Sequence, residues 1–144
     1  MARPIGFDDF VKRQGFHTIY LVTPEEGHGP VKVGVAVDPY VRFSSHQSSN
    51  FIPLRLHRFW WVAGQRVALR IESTFKDHFK PFCVRGEWFD LLLPLAEAFI
   101  EGVIRGIGTW GVSEGEVIDL FEQHELHRTD FYPSGYGVDG LRRR

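Results

Sequence analysis

Cysteines and long apolar runs are almost absent from this chain of 144 residues. The single cysteine, Cys83, excludes an intrachain disulfide and favours a reducing compartment, and its neighbours Pro81 and Phe82 predict that it is a small buried side chain. No apolar run approaches the ~20 residues of a membrane-spanning helix. Asp8 and Asp9 fall where a signal peptide is apolar. We therefore expect a cytoplasmic protein that does not enter the membrane.

Net charge is also small, at −1, but the charges are unevenly distributed. Residues 31–85 carry nine basic and three acidic side chains, whereas residues 86–140 carry two basic and eleven acidic ones. A basic middle segment beside an acidic one favours a polyanion-binding face on one set of elements. The alternative is a solvated surface whose charge has no function.

Hydrophobic periodicity predicts the order α-β-β-α-β-α followed by two more helices. This order is typical of a small α/β (α+β) domain with a three-stranded mixed or antiparallel sheet, flanked by helices and followed by a C-terminal helical extension. The predicted units are a lead-in (1–16), a central domain (17–90) and an acidic extension with a tail from Thr129 onward (91–144). The predicted helices are 7–14, 38–48, 65–79, 92–105 and 113–124, and the predicted strands are 17–23, 31–37 and 54–63.

Two side chains that can act on a phosphate ester lie four positions apart on the predicted helix 38–48. Arg42 and His46 at i and i+4 point to the same side of that helix. Arginine offers a planar fork for phosphate, and histidine can move a proton near neutral pH. The alternative is a pair of surface residues without function.

A carboxylate interrupts the apolar stripe of the predicted helix 65–79. Glu72 lies in line with Ala68 and Phe75, so it is at the edge of a core and needs a compensating charge. A Mg²⁺ ion, which prefers hard oxygen ligands, is one candidate. The alternative is a structural ion pair with Arg42 or Lys32.

A tyrosine on the first predicted strand is a further candidate. Tyr20 is a poor base at the ordinary pKa of about 10, but neighbouring Lys32 and Arg42 would favour the phenolate, which could deprotonate a water molecule. Gly34 on the second strand allows close approach of backbone to the site. The alternative is a tyrosine that only packs in the sheet.

The order and spacing of these residues resemble the GIY-YIG endonuclease superfamily. Residues 18–20 (T-I-Y) match the first motif, and residues 32–34 (K-V-G) match the second. Arg42 and His46 follow at the distances found in the family's helix, and Glu72 falls on the next long helix, where these enzymes keep a metal-binding glutamate.

The sequence is similar to the short phage and bacterial branch of this superfamily, which carries a T5-phage-type GIY-YIG domain. The similarity lies in the V-K-V-G form of the second motif and in R-G-E-W-F at 85–89. The resemblance covers residues 17–90. Lys32 replaces the second tyrosine of the family, and residues 80–90 contain no counterpart of the asparagine that many members carry after the glutamate.

The resemblance implies a nuclease that hydrolyses phosphodiester bonds with a divalent metal. Glu72 would hold one Mg²⁺ (or Mn²⁺) at the scissile phosphate. Tyr20 would take the proton of the attacking water, with its pKa lowered by Lys32. Arg42 would stabilise charge on the phosphoryl oxygens, and His46 would position water or relay the proton.

The expected partner is DNA, with RNA left open, and no membrane. The acidic C-terminal helices are candidates for a protein partner or for self-association. A module that keeps the fold and binds nucleic acid or assembles without cutting is the alternative, and an unrelated α/β domain is a third possibility. The basic side chains expected to contact nucleic acid are Lys32, Arg42, Arg55, Arg58, Arg66, Arg70 and Arg85.

Overall fold

A computed structural model of the chain describes residues 2–26 and 29–131. The tail predicted from Thr129 onward lies mostly outside these residues. The described part folds as an α+β structure with five α-helices, one 3-10 turn and six strands. The helices are α1 (Phe7–Gln14), α2 (Pro39–Ser48), α3 (Gln65–His78), α4 (Leu93–Ile107) and α5 (Glu114–Phe131), with the 3-10 turn at Lys80–Phe82. The strands are β1 (His17–Pro24), β2 (Val31–Ala36), β3 (Leu54–Val62), β4 (Cys83–Arg85), β5 (Trp88–Phe89) and β6 (Gly111–Val112).

The strands form one sheet in the order β4-β5-β2-β1-β3-β6, and every neighbouring pair is antiparallel. The predicted hairpin of β1 and β2 is present, with Tyr20 opposite Gly34. The prediction of three strands is wrong, because β4, β5 and β6 extend the sheet at both edges. These three strands hold only two or three residues each, too few for an alternation to be recognised.

One face of the sheet carries the larger core. Ile19 and Leu21 on β1 point to it and are fully buried, and α3 and α4 cover it. The helix α4, the first after residue 91, contributes three core residues to this face, Ala96, Ile100 and Ile104. The main core is therefore built from both the central segment and the acidic extension.

The opposite face carries α1, α2 and α5. Trp61 is fully buried on this face against Phe7 of α1 and Phe121 of α5, whereas its neighbour Trp60 belongs to the first core. Tyr20 and Val22 alternate with the core residues of β1 and form a smaller apolar cluster beneath α2. Since residues 7–14 and 114–121 meet there, the two ends of the described chain close over the same face.

Local chemistry sets the starts of α2 and α5 close to where they were predicted, although α5 runs past its predicted end at 124 to Phe131. The carboxylate of Asp38 accepts a hydrogen bond from the backbone N–H of Tyr40 at 3.0 Å and caps α2, with Pro39 as first helical residue. Ser113 and Glu116 form the predicted capping box at the start of α5.

Cys83 departs from its prediction, because it is exposed on β4 and its thiol donates to the carbonyl of Gly86. It lies at the outer edge of the sheet, on a strand whose three residues are all exposed. No helix within the described ranges is long and apolar enough to span a bilayer.

Candidate active site

A tyrosine and a histidine form the centre of the candidate site. The hydroxyl of Tyr20 lies 2.9 Å from Nε2 of His46, so β1 and α2 are joined by a side-chain hydrogen bond. The tyrosine lies across Gly34 on β2, where a Cβ atom would overlap its ring and hydroxyl. Glycine at this position therefore leaves the space that lets the tyrosine reach the histidine.

Burial and charge hold both partners of this hydrogen bond in their neutral forms. Burial raises the pKa of Tyr20, and although the Arg42 guanidinium opposes the shift, the pKa stays above its ordinary value. Burial also lowers the pKa of His46, with the charges of Lys32 and Arg42 acting in the same direction. A neutral phenol beside a neutral imidazole donates its hydrogen to the free ring nitrogen.

This corrects the expected ionisation of the tyrosine. We predicted that Lys32 and Arg42 would lower the pKa of Tyr20, but the residue is only 2% exposed and the loss of solvent outweighs the arginine. Lys32 does not lie free beside it, since its ammonium group donates to Glu87 at 2.6 Å.

Two carboxylates and two ammonium groups form a chain next to the tyrosine. Glu87, in the turn before β5, accepts from Lys32 on one oxygen and from Lys76 of α3 on the other, at 2.6 and 3.0 Å. The same Lys76 ammonium lies 3.5 Å from the carboxylate of Glu72. Both carboxylates are close enough for their charges to act on the pKa of Tyr20.

The two carboxylates differ in how well their charge is compensated. Burial raises the pKa of Glu72, and the ammonium of Lys76 offsets only part of that rise. Burial would also raise the pKa of Glu87, but hydrogen bonds from Lys32 and Lys76 outweigh it, so the pKa is lowered. Glu72 is thus the carboxylate with unmet demand for a cation, and its ion pair is with Lys76 rather than with Arg42 or Lys32.

Glu72 offers a single carboxylate to a divalent ion, and Lys76 already lies beside it. Among the described residues, no group of three or more histidine, cysteine, aspartate or glutamate side chains could form a metal cage. A Mg²⁺ ion commonly takes one or two carboxylates and completes its shell with water and substrate phosphate. An ion held at Glu72 would therefore need most of its ligands from water and phosphate.

The structure divides the predicted nucleic-acid contacts between the two faces of the sheet. Arg85 is opposite Trp88, which is opposite Lys32, so these side chains share a face. Arg58 lies on the other face, where it pairs with two acidic residues of α4 at 3.4 and 2.7 Å. Arg55 is exposed and adjacent along β3 to Leu56, which packs on the Tyr20 face, so it points away from that face.

Arg66 and Arg70 are exposed on α3, six and two residues before Glu72 along the helix. Neither makes an ion pair within the described residues, so both are free to meet phosphate. Arg42 is exposed as well, on α2, and it is the basic residue whose charge acts on both Tyr20 and His46.

Sequence reasoning missed Glu87. Residues 86–89 form a turn followed by β5, where Phe89 is buried in the main core. The partners of Glu87 lie 55 and 11 positions away along the chain. The one signal in the sequence was that Glu87 stands between Gly86 and two aromatic residues, near the C-terminal end of residues 17–90.

Comparison of the chain with family models, with curated proteins and with solved structures gave no significant match. The resemblance to the GIY-YIG superfamily therefore depends on the motif residues of the sequence alone.

Proposed function

We propose that this protein is a divalent-metal-dependent endonuclease that hydrolyses DNA phosphodiester bonds through a GIY-YIG-type site. The observation that carries the proposal is the approach of Tyr20, His46, Arg42 and Glu72 from three separate elements, β1, α2 and α3. Titratable groups whose pKa values are displaced by burial and by one another are typical of functional sites.

The hydrogen bond between the tyrosine and the histidine supplies a proton path. An attacking water molecule gives a proton to the Tyr20 oxygen while the tyrosine gives its own to Nε2 of His46, 2.9 Å away. This relay does not need a free phenolate, so it is compatible with the raised pKa of Tyr20. The lowered pKa of His46 keeps the imidazole unprotonated at neutral pH and able to accept.

Arg42 and Glu72 act on the phosphate. Arg42, exposed beside the tyrosine, binds the non-bridging oxygens and stabilises the charge that develops on them. Glu72 would hold the Mg²⁺ or Mn²⁺ ion, which when bound polarises the phosphate and stabilises the leaving oxygen. Glu87 holds Lys32 and Lys76 in place and so sets the local positive charge.

A non-catalytic nucleic-acid-binding or assembly module is the second candidate. It is favoured by one observation: Lys76 already lies against Glu72, so the carboxylate has a cation of its own. In such a module the exposed arginines of the Tyr20 face bind phosphate and Glu72 is structural.

Cleavage of plasmid, branched and single-stranded DNA with Mg²⁺, with Mn²⁺ and with EDTA separates the two candidates. The proposal predicts metal-dependent nicking by the wild type, a loss of at least about 10³-fold in Glu72→Ala, and DNA affinity within about threefold of wild type. Glu97→Ala is the matched control, since Glu97 is a half-buried carboxylate paired with basic residues on the opposite face.

No cleavage on any substrate, together with salt-sensitive DNA binding that Glu72→Ala leaves intact, would instead establish the binding module. Affinity that does not fall with salt would contradict both candidates, because contacts to phosphate release counterions.

A further inference from the structure

A cleft of about 780 Å³ opens beside the candidate active site. It lies between α1, the end of β2 and the start of α2, and its volume is within the range of roughly 300–1,000 Å³ of small-molecule sites. Arg42 lines the cleft and also acts on Tyr20 and His46, so the cleft and the catalytic cluster share a wall.

An unpartnered histidine lines the inner part of the cleft. His17, the first residue of β1, is 92% buried, and its ring has no hydrogen-bond partner among the residues that the structure describes. Burial lowers the pKa of His17, so the imidazole is neutral at physiological pH and offers one donor and one acceptor. The ring nitrogens of His17 are not sealed from solvent, so they are open to a ligand in the cleft.

The remaining walls combine apolar, basic and acidic groups, and the acidic ones, Asp8 and Asp38, are paired with Arg3. Val37 and Val41 form an apolar side and are 39% and 67% exposed, whereas Val35 lines the cleft and also packs against the main core. Lys12 lies at the edge and makes no ion pair within the described ranges. Arg3 is engaged with three carboxylates, which leaves Lys12 and Arg42 as the cations available to a ligand.

We propose that the cleft binds the nucleoside attached to the phosphate that Arg42 contacts, with His17 hydrogen-bonded to the base edge or to the sugar. The inference rests on the proposed function and names its substrate class. Apolar walls match the faces of a base, the neutral imidazole matches its donor and acceptor pattern, and Arg42 and Lys12 match the phosphates on either side.

The shape of the cleft restricts the nucleic acid. A base that remains stacked and paired in a duplex cannot enter a cleft of this size, so the bound nucleotide must be unpaired or turned out of the helix. The expected substrates are single strands, flaps or branch points, and intact duplex is expected to be cut more slowly by about tenfold or more, as unstacking must come first.

The test uses the full-length chain and two probes, thymidine 5′-monophosphate and inorganic phosphate, followed by NMR. With the nucleotide, the ring-proton signals of His17 and the methyl signals of Val35 are expected to shift and saturate. Phosphate alone is expected to move signals of Arg42 and to leave His17 unchanged. Nucleotide that binds without moving the His17 signals overturns the proposal, whether or not the protein cuts DNA.

Two variants separate loss of the cleft from loss of the fold. His17→Phe removes the hydrogen bond, and Val41→Trp narrows the cleft from an exposed helix position. Each is expected to raise the dissociation constant for the nucleotide about tenfold, the equivalent of one hydrogen bond or one apolar contact, with phosphate affinity unchanged. His78→Phe is the control, since His78 stacks on Phe99 away from the cleft.

Plasmid nicking by the wild type tests the proposed function independently. If the wild type nicks plasmid but neither variant changes the affinity for the nucleotide, the nucleotide site is wrong and the nuclease proposal is retained. Saturable shifts of His17 in a protein that cuts nothing support the nucleotide site and count against the nuclease.

Discussion

Two polar clusters of this protein are built in opposite ways. In the Arg3 cluster, the guanidinium of Arg3 contacts Asp8, Asp38 and Glu114 at 3.1, 3.1 and 2.8 Å. It also lies 5.2 Å from the centre of the Phe7 ring. Burial would lower the pKa of Arg3, but the carboxylates outweigh it and raise the pKa.

The Tyr20 cluster is formed by Tyr20, Arg42, His46, Glu72 and Glu87. At three of these residues, burial decides the direction of the pKa shift. The pKa values of Tyr20 and Glu72 are raised and that of His46 is lowered, so each group is held toward its neutral form. The Arg3 cluster is compensated within the fold and serves stability. The Tyr20 cluster is undercompensated and is suited to a charged ligand.

The largest expected effect is on catalysis in the Tyr20 cluster. Tyr20→Phe keeps the packed ring but removes the hydroxyl, so the relay to His46 is broken and cleavage is expected to slow by about 10³-fold. The unfolding free energy is expected to change by less than about 1 kcal/mol, because one partly exposed hydrogen bond is lost. Single-turnover cleavage measures the rate and urea unfolding measures the stability. A variant that is destabilised but cleaves at the wild-type rate when folded would show that the Tyr20 cluster serves stability rather than catalysis.

The Arg3 cluster should behave in the opposite way. Arg3→Met leaves carboxylates of α1, α2 and α5 without their shared counter-charge and is expected to lower the unfolding free energy by roughly 3 kcal/mol. The rate of cleavage by the folded fraction is expected to stay within about twofold of wild type.

Arg58→Met is the matched control for that variant. Arg58 also contacts two carboxylates, but its side chain is 42% exposed, so its loss is expected to cost less than about 1 kcal/mol. Urea unfolding measures both losses of unfolding free energy. Equal losses would show that the burial of Arg3 does not make its ion pairs more important to stability than those of Arg58.

Gly34 links the tyrosine cluster to the sheet and gives a smaller stability effect. A methyl group there would overlap Tyr20, so Gly34→Ala is expected to cost about 1–3 kcal/mol and to move the hydroxyl away from His46. Gly106→Ala is the control, because nothing lies within 4 Å of its added Cβ in α4. That variant is expected to gain about 0.5–1 kcal/mol. The signs of the two effects are checked by thermal unfolding.

The smallest expected effect is in the pH dependence of stability. Burial lowers the pKa of both His17 and His46 below the ordinary histidine value of about 6.5, so the unfolded chain binds protons more readily than the folded one. Their stability contribution is therefore present above pH 6.5 and lost as pH falls through the folded values. Urea midpoints between pH 7.5 and 5.5 should fall less in His17→Phe than in wild type, and parallel curves would contradict this.

The elements that were predicted correctly depend on local chemistry. Asp38 and Pro39 start α2, and Ser113 with Glu116 starts α5, because each cap involves residues at most three apart. The hairpin of β1 and β2 follows from alternation over six or more residues. Such signals can be found in one sequence without knowledge of the rest of the fold.

What could not be predicted depends on distant residues. The edge strand β6 is two residues long and forms because Trp61 and Val62 present an unpaired edge to it. Glu87 joins the site through lysines from other elements. The direction of the Tyr20 pKa shift was predicted wrongly because it is set by the depth of burial under α2, which sequence spacing does not reveal.

The contact between α1 and α5 has a consequence for the protein's synthesis. Phe7 and Phe10 of α1 lack the α5 part of their apolar surroundings until Val117 and Phe121 have been translated. The carboxylate of Glu114, which pairs with Arg3, is made 111 positions after the arginine. The first helix therefore leaves the ribosome long before the surface that covers it exists. At ~5–20 residues per second, those aromatic side chains are exposed to chaperones for several seconds. Ribosomes stalled before residue 114 are expected to carry a nascent chain in which α1 has not yet docked.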